Sequence, residues 1–274
     1  MRILISIFNF YINASIHVAL AVVSLVIIFQ EIYMGSIDLL QLFYVFCATI
    51  TGYNFIKYAK VAGLHHRSLV GSMKAIQLFS FLAFCGLIYS IIQLPMKLWI
   101  VSSILGVMTL LYALPFLGRK NLRTLAGIKI FVVGIVWAGV AVFVPWSTSS
   151  LKIDMDVWLS CFQCFLLAVV WTLPFEIRDL AFDAKSLRTL PQIFGVEKVK
   201  IVGVGMLVVV ILVEGLKDEL PTAQFTSLML VCLLSAIALI MAQKKQPKYY
   251  SSFWVESIPI VWVFLFFVLK ELFR

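Results

Sequence analysis

The sequence predicts an all-α protein, a single polytopic membrane bundle over residues 1 to 274, on three observations. Sixty-three per cent of its residues are apolar, only 13% are charged, and the apolar residues gather into nine stretches long enough to cross a bilayer. Soluble domains carry roughly a quarter charged residues. A helix needs about 20 apolar residues to cross the hydrocarbon core, where an unpaired backbone amide costs several kcal/mol.

In chain order the spans are expected near 7 to 29, 37 to 56, 72 to 93, 96 to 116, 125 to 146, 156 to 175, 199 to 216, 222 to 242 and 253 to 272. Met1 and Arg2 lead into an apolar run too long for the hydrophobic part of a signal peptide, and no small-residue cleavage pattern comes after it, so the first span is expected to stay attached. That span carries Asn9, Asn13 and His17 at intervals of four, a polar stripe facing either other helices through hydrogen bonds or a cavity. The third and fourth spans are separated only by Gln93 to Lys97, and Pro95 marks a tight turn there. Lys129, inside the fifth span, requires a carboxylate, an anion or a snorkelling path to the nearby face. All five cysteines lie in apolar spans, where a thiol packs as a small hydrophobe, and the Cys161 and Cys164 pair has no basic neighbour to activate it.

Orientation is set by where Lys and Arg collect. With the amino terminus inside, the inner connections hold 17 of these residues and the outer ones 5, together the 22 of the sequence. The chain is thus expected in a cell (inner) membrane with its carboxyl terminus outside. The net charge of +9 is explained by basic loops against anionic membrane lipid and calls for no nucleic acid. The inner connections, about 57 to 71, 117 to 124, 176 to 198 and 243 to 252, are also the long ones, which directs attention to that face.

The segment PFEIRDLAFDAKSLRTLPQIFG, residues 174 to 195, is the most informative. Glu176, Asp179 and Asp183 stand at i, i+3 and i+7, so a helix continuing from the sixth span sets three carboxylates on one face. Such carboxylates repel one another unless a cation lies between them; otherwise they form a solvated face.

This segment resembles the second acidic motif of the UbiA superfamily of intramembrane aromatic prenyltransferases, most closely those that prenylate dihydroxynaphthoate. There the stretch reads roughly R-D-x-x-x-D-x-x-x-G-x-x-T-L-x-x-x-x-G. Arg178, Asp179, Asp183, Thr189, Leu190 and Gly195 match, and Ser186 replaces the first glycine. Tyr112 to Pro115 followed by Arg119 and Lys120 is similar to the segment joining the family's fourth and fifth helices. The resemblance implies a nine-helix UbiA-like bundle that binds an isoprenoid diphosphate through Mg2+, ionises it, and passes the prenyl group to a membrane-soluble aromatic or quinone-precursor acceptor. Asp179 and Asp183 would ligate the metal, with Glu176 as a third ligand or behind them. Arg178, Lys185 or Arg188 would steady the departing diphosphate.

The family's first acidic cluster, N-D-x-x-D-x-x-x-D at the end of the second span, is degenerate here. Asn54 remains, but Phe55, Tyr58 and Ala62 stand where the carboxylates belong, and no Asp or Glu occurs between Asp38 and Asp154. The chain is either a transferase in which one magnesium sits on the intact motif and Lys57, Lys60, His65, His66 or Arg67 replaces the second metal by touching phosphate directly, a binding or scaffold protein that keeps the fold and one anion site, or a transporter of a polar lipid or quinone-like molecule. For the first, the substrate-binding set is Asn54, Lys57, Lys60, Arg119, Lys120 and Arg188. His65 and His66 are not read as a zinc site, because adjacent side chains on a helix diverge by about 100° and no Cys or carboxylate is near. Glu256, near the start of the last span, either pairs with Lys248 or reaches the cavity and is left unassigned.

Overall fold

The computed structural model describes residues 2–58, 73–115, 121–125, 127–150 and 152–274. These residues form helices and turns, with no strand among them.

The expected first span is two helices, α1 (Arg2–Asn13) and α2 (Ile16–Met34), separated by Ala14 and Ser15. Ser15 sits at φ 63°, a left-handed conformation uncommon outside glycine. The break is fastened by α3 (Leu39–Tyr58), so the polar stripe expected along one continuous helix is divided. Each of its members still finds a hydrogen bond: Asn9 accepts from Lys248 and Tyr249, the Asn13 carbonyl accepts from Tyr58, and His17 Nδ1 meets the Tyr11 hydroxyl at 2.7 Å.

α4 (Met73–Gln93) and α5 (Met96–Ala113) are joined by Leu94 and Pro95, the tight turn the proline predicts. α6 (Lys129–Thr148) and α7 (Met155–Asp179) come next, α7 opening on Asp154, whose carboxylate accepts the Val157 amide at 3.0 Å. The short α8 (Leu190–Phe194) precedes α9 (Val196–Glu214) and α10 (Thr222–Met241). A π-helical turn (Tyr250–Val255) then leads into α11 (Ile258–Leu272).

Eight helices among the described residues are long and apolar enough to cross a membrane. The expected 199 to 216 span corresponds to α9, which is 19 residues long but carries Glu197, Lys198, Lys200 and Glu214 near its ends and falls outside that set. α2 packs against α3, α6 and α11, while α6, α7, α9, α10 and α11 pack in succession, closing a ring. Val26, Ala141, Val142, Leu167, Val169 and Leu173 fill its core. Around it Leu78, Phe81, Leu82, Ile100 and Ile104 point outward, the reverse of a water-soluble surface. The chain is a multi-pass membrane protein.

Polar groups collect at the two ends of the bundle. At one end Glu214 joins the Lys217 ammonium at 2.6 Å and accepts from Gln163 and Gln224 at 2.9 and 2.6 Å. At the other end lie the acidic motif and the ends of α3, α6 and α11. Cys161 and Cys164 are free thiols packed against the core.

Candidate functional site

α7 runs through Pro174, whose carbonyl accepts from Gln246 at 2.9 Å, and ends at Asp179. Glu176 and Asp179 are therefore helical, but Asp183 is not. The Phe182 and Asp183 amides both bond the Asp179 carbonyl, at 2.9 and 2.8 Å, so one further helix-like turn follows Asp179 and holds Asp183 over the helix end. Local chemistry fixes the path from there into α9. Thr189 caps α8 with its amide bonded to Gln192 Oε1 at 3.1 Å, Pro191 lies in the first turn, and Gly195 takes φ 81° where α8 passes into α9. Gln192 also donates to the Asp183 carbonyl at 3.2 Å, tying α8 to the motif. Thr189, Leu190 and Gly195, matched in the sequence, thus build the frame behind the carboxylates.

The carboxylates are drawn to cations. Lys129, the first residue of α6, places its Nζ 3.3 Å from Asp183 Oδ2 and 2.8 Å from Glu176 Oε1, the latter a charge contact set off the hydrogen-bond direction. Glu176 is buried, with 2% of its side chain exposed, while Lys129 and Asp183 each keep 19%. Asp179 faces its neighbour instead: Arg178 Nε meets Oδ1 at 2.7 Å and a terminal nitrogen meets Oδ2 at 3.2 Å, a two-toothed pairing. The Arg178 guanidinium also lies 5.1 Å from the centre of the Phe175 ring. The three acids expected on one helical face therefore divide, two onto Lys129 and one onto Arg178.

A small cavity beside this cluster is lined by Arg123, Gly127, Lys129, Glu176, Leu187 and Thr189, among others. Arg123 sits in a single helical turn, Leu122–Thr124, locked by reciprocal bonds of 3.0 Å between Asn121 and Thr124. The buried Tyr112 lies at the end of α5, which packs against α6 and the Leu122–Thr124 turn, so it stands at the same end of the bundle as the motif. Arg188 is exposed, with φ 44°. Lys60, Arg119, Lys120, His65, His66 and Arg67 lie outside the described residues, as does the Lys185 side chain.

Across the bundle, the degenerate motif has acquired a different employment. Asn54 is buried; its Oδ1 accepts from Ser15 Oγ at 2.8 Å, and its Nδ2 donates to the Ala14 carbonyl at 3.1 Å and Ser80 Oγ at 2.8 Å. Lys57 Nζ donates to Ser15 Oγ at 2.9 Å and Tyr58 OH to the Asn13 carbonyl at 2.9 Å. All three hold the break between α1 and α2. Glu256, just before α11, is within charge-interaction range of both Lys57 and Arg178. Sequence reading gave Arg123 no site role and left Glu256 unassigned; the one visible signal for each was a charge beside the end of an apolar span.

Magnesium ligation calls for oxygens around the ion at about 2 Å, supplied by carboxylates together with substrate phosphate and water. Here each carboxylate of the motif is turned to an internal cation, and among the described residues no group of three or more His, Cys, Asp or Glu side chains is placed to hold a metal. In this arrangement the residues do not fit a bound divalent ion.

No protein-family model and no curated protein matches the chain. Solved structures do. A UbiA homologue from Aeropyrum pernix K1, in its apo form, aligns with a TM-score of 0.68 and 16% identity over 93% of this chain and 98% of its own. A UbiA homologue from Archaeoglobus fulgidus, bound to GPP and Mg2+, aligns with a TM-score of 0.66 and 12% identity over 96% and 99%. A digeranylgeranylglyceryl phosphate synthase aligns with a TM-score of 0.58 and 17% identity over 96% and 97%. With nearly the whole of each chain superposed, and with the acidic motif at the end of α7, this protein has the UbiA fold.

Proposed function

We propose that this protein binds an isoprenoid diphosphate at the motif end of the bundle, on the cytoplasmic side, and transfers the prenyl group to an aromatic or quinone-precursor acceptor dissolved in the membrane. The observation that carries the proposal is the set of cations held in place by carboxylates, Lys129 by Glu176 and Asp183 and Arg178 by Asp179, beside a cavity that Arg123 also lines. The UbiA homologue bound to GPP supports the choice of ligand.

On this reading Asp179 and Asp183 orient cations toward phosphate. The carbon–oxygen bond of the donor breaks with its electron pair left on the diphosphate, and Arg178 and Lys129 stabilise that charge. The acceptor carbon bonds the allylic cation, and its ring proton passes to the released diphosphate. Arg188 at the rim, together with Lys60, Arg119 and Lys120 by their sequence position, adds phosphate contacts. Lys57 approaches from the opposite half, with Asn54 fixing its surroundings. No step is routed through a metal.

The test is calorimetric titration of purified protein with non-hydrolysable farnesyl thiodiphosphate. Wild type is expected to bind saturably, inorganic diphosphate to compete, and Arg178→Ala to lose at least tenfold in affinity. Absence of saturable binding by folded wild-type protein overturns the reading and favours a scaffold that has kept the fold.

A further inference from the structure

The acidic motif contains its own cation. We infer that Lys129 is the resident counter-ion of the motif, standing where a divalent metal would bridge its carboxylates, and that diphosphate binding at this site is independent of magnesium. The inference rests on the diphosphate-binding reading above.

Three features support it. First, the ammonium contacts carboxylates that come from different parts of the chain, Glu176 within α7 and Asp183 beyond the turn that ends it, at 2.8 and 3.3 Å. That bridging position is what an ion between the two would occupy. Secondly, Lys129 is the first residue of α6. A cation at a helix amino terminus opposes the helix dipole, so this placement is unfavourable without close carboxylates. Joined to the backbone, the ammonium is present at the site at all times, and a free divalent ion must displace it from both oxygens to bind. Thirdly, the remaining acid is closed to a metal by the Arg178 chelate at 2.7 and 3.2 Å.

The first motif agrees. Its carboxylate positions hold Phe55, Tyr58 and Ala62, and the charge in that stretch of α3 is Lys57. A lysine thus stands at each half of the site. Both halves present tethered positive charge to an anion, and neither presents an uncommitted cluster of acids to a metal.

The experiment has two arms. Manganese alone, monitored by electron paramagnetic resonance, is titrated into wild type and into Lys129→Met/Glu176→Gln, a double variant that removes the buried Lys129–Glu176 pair together and leaves only the partly exposed Asp183 without its ammonium. Wild type is expected to show no saturable manganese binding up to millimolar concentration. In the second arm farnesyl thiodiphosphate is titrated with magnesium and with EDTA. Wild-type affinity is expected to change less than threefold between the two, while the double variant loses at least tenfold in EDTA and recovers part of that loss with magnesium. Submillimolar manganese binding to wild type, or loss of its thiodiphosphate binding in EDTA, overturns the inference. If wild type binds no thiodiphosphate in either condition, the proposed function fails, and the manganese arm alone decides whether Lys129 excludes a metal.

Discussion

At the scale of single residues, Asn54 shows how a recognisable position changes its work. The sequence marks it as the survivor of a lost acidic cluster and invites a phosphate-contacting role. In the fold both ends of its amide are occupied, by Ser15 Oγ, the Ala14 carbonyl and Ser80 Oγ. None of this was legible, because the partners in the break lie 39 and 40 residues away and Asn13-Ala14-Ser15 contains neither Pro nor Gly to announce a helix end. Asn54→Ala leaves the buried Ala14 carbonyl and Ser15 hydroxyl without this partner. A lost partner for a buried polar group costs about 1–3 kcal/mol. The expected outcome is a lower unfolding midpoint in detergent, with faster proteolysis at the α1–α2 break than elsewhere in the chain. An unchanged midpoint and cleavage pattern would show that the break is held by the rest of its packing. Lys129 is the contrasting case. The sequence says that this ammonium needs a carboxylate, an anion or a snorkelling path; what it withholds is that the end of α7 and the turn after Asp179 bring Glu176 and Asp183 to it.

At the scale of elements, helix existence was readable from hydropathy while helix contact was not. The stretches read from sequence reappear as helices within a few residues at most ends, Pro95 divides α4 from α5, and Thr189, Pro191 and Gly195 give α8 its start and finish. The contact of α7, α9 and α10 depends on Gly203, which periodicity does not distinguish from the glycine two residues later. A Cβ at Gly203 would lie 2.3 Å from Leu239 Cδ2 and 2.8 Å from Leu173 Cδ1, whereas one at Gly205 meets nothing within 4 Å. Gly203→Leu is expected to destabilise the bundle by about 1–3 kcal/mol, because side chains forced into a filled interface push helices apart. Gly205→Ala is expected to be neutral or slightly stabilising through helix propensity. Thermal unfolding of the two variants side by side checks the contact; equal midpoints would mean that α9 can slide without penalty.

For the whole molecule, the decisive element is α9. Composition alone leaves its span in doubt, since charges stand at both of its ends. Its contacts give it a direction. α9 leaves the acidic motif through α8 and Gly195, and its last residue, Glu214, meets Gln163 of α7 and Gln224 of α10; just beyond it, the Asp218 amide approaches the Asp156 carboxylate in the first turn of α7 at 3.3 Å. Nineteen helical residues at 1.5 Å each cover about 28 Å, close to the thickness of a hydrocarbon core. α9 therefore travels the length of α7 in the opposite sense, with its charges toward the two ends of the bundle. Glu214, which would be costly in lipid, is instead buried against Lys217 and two glutamines. The expected topology rests on this crossing together with the excess of Lys and Arg on the motif side. In that topology alkaline phosphatase fused after Leu220 is expected to be active and the same reporter after Gln246 inactive. A fusion after Arg274 should again be active, with the amino terminus inside. Were α9 to lie along the interface without crossing, the connection after Leu220 would remain on the motif side and each of these three readings would reverse, so the trio of fusions tests the direction of α9 and the orientation of the chain together.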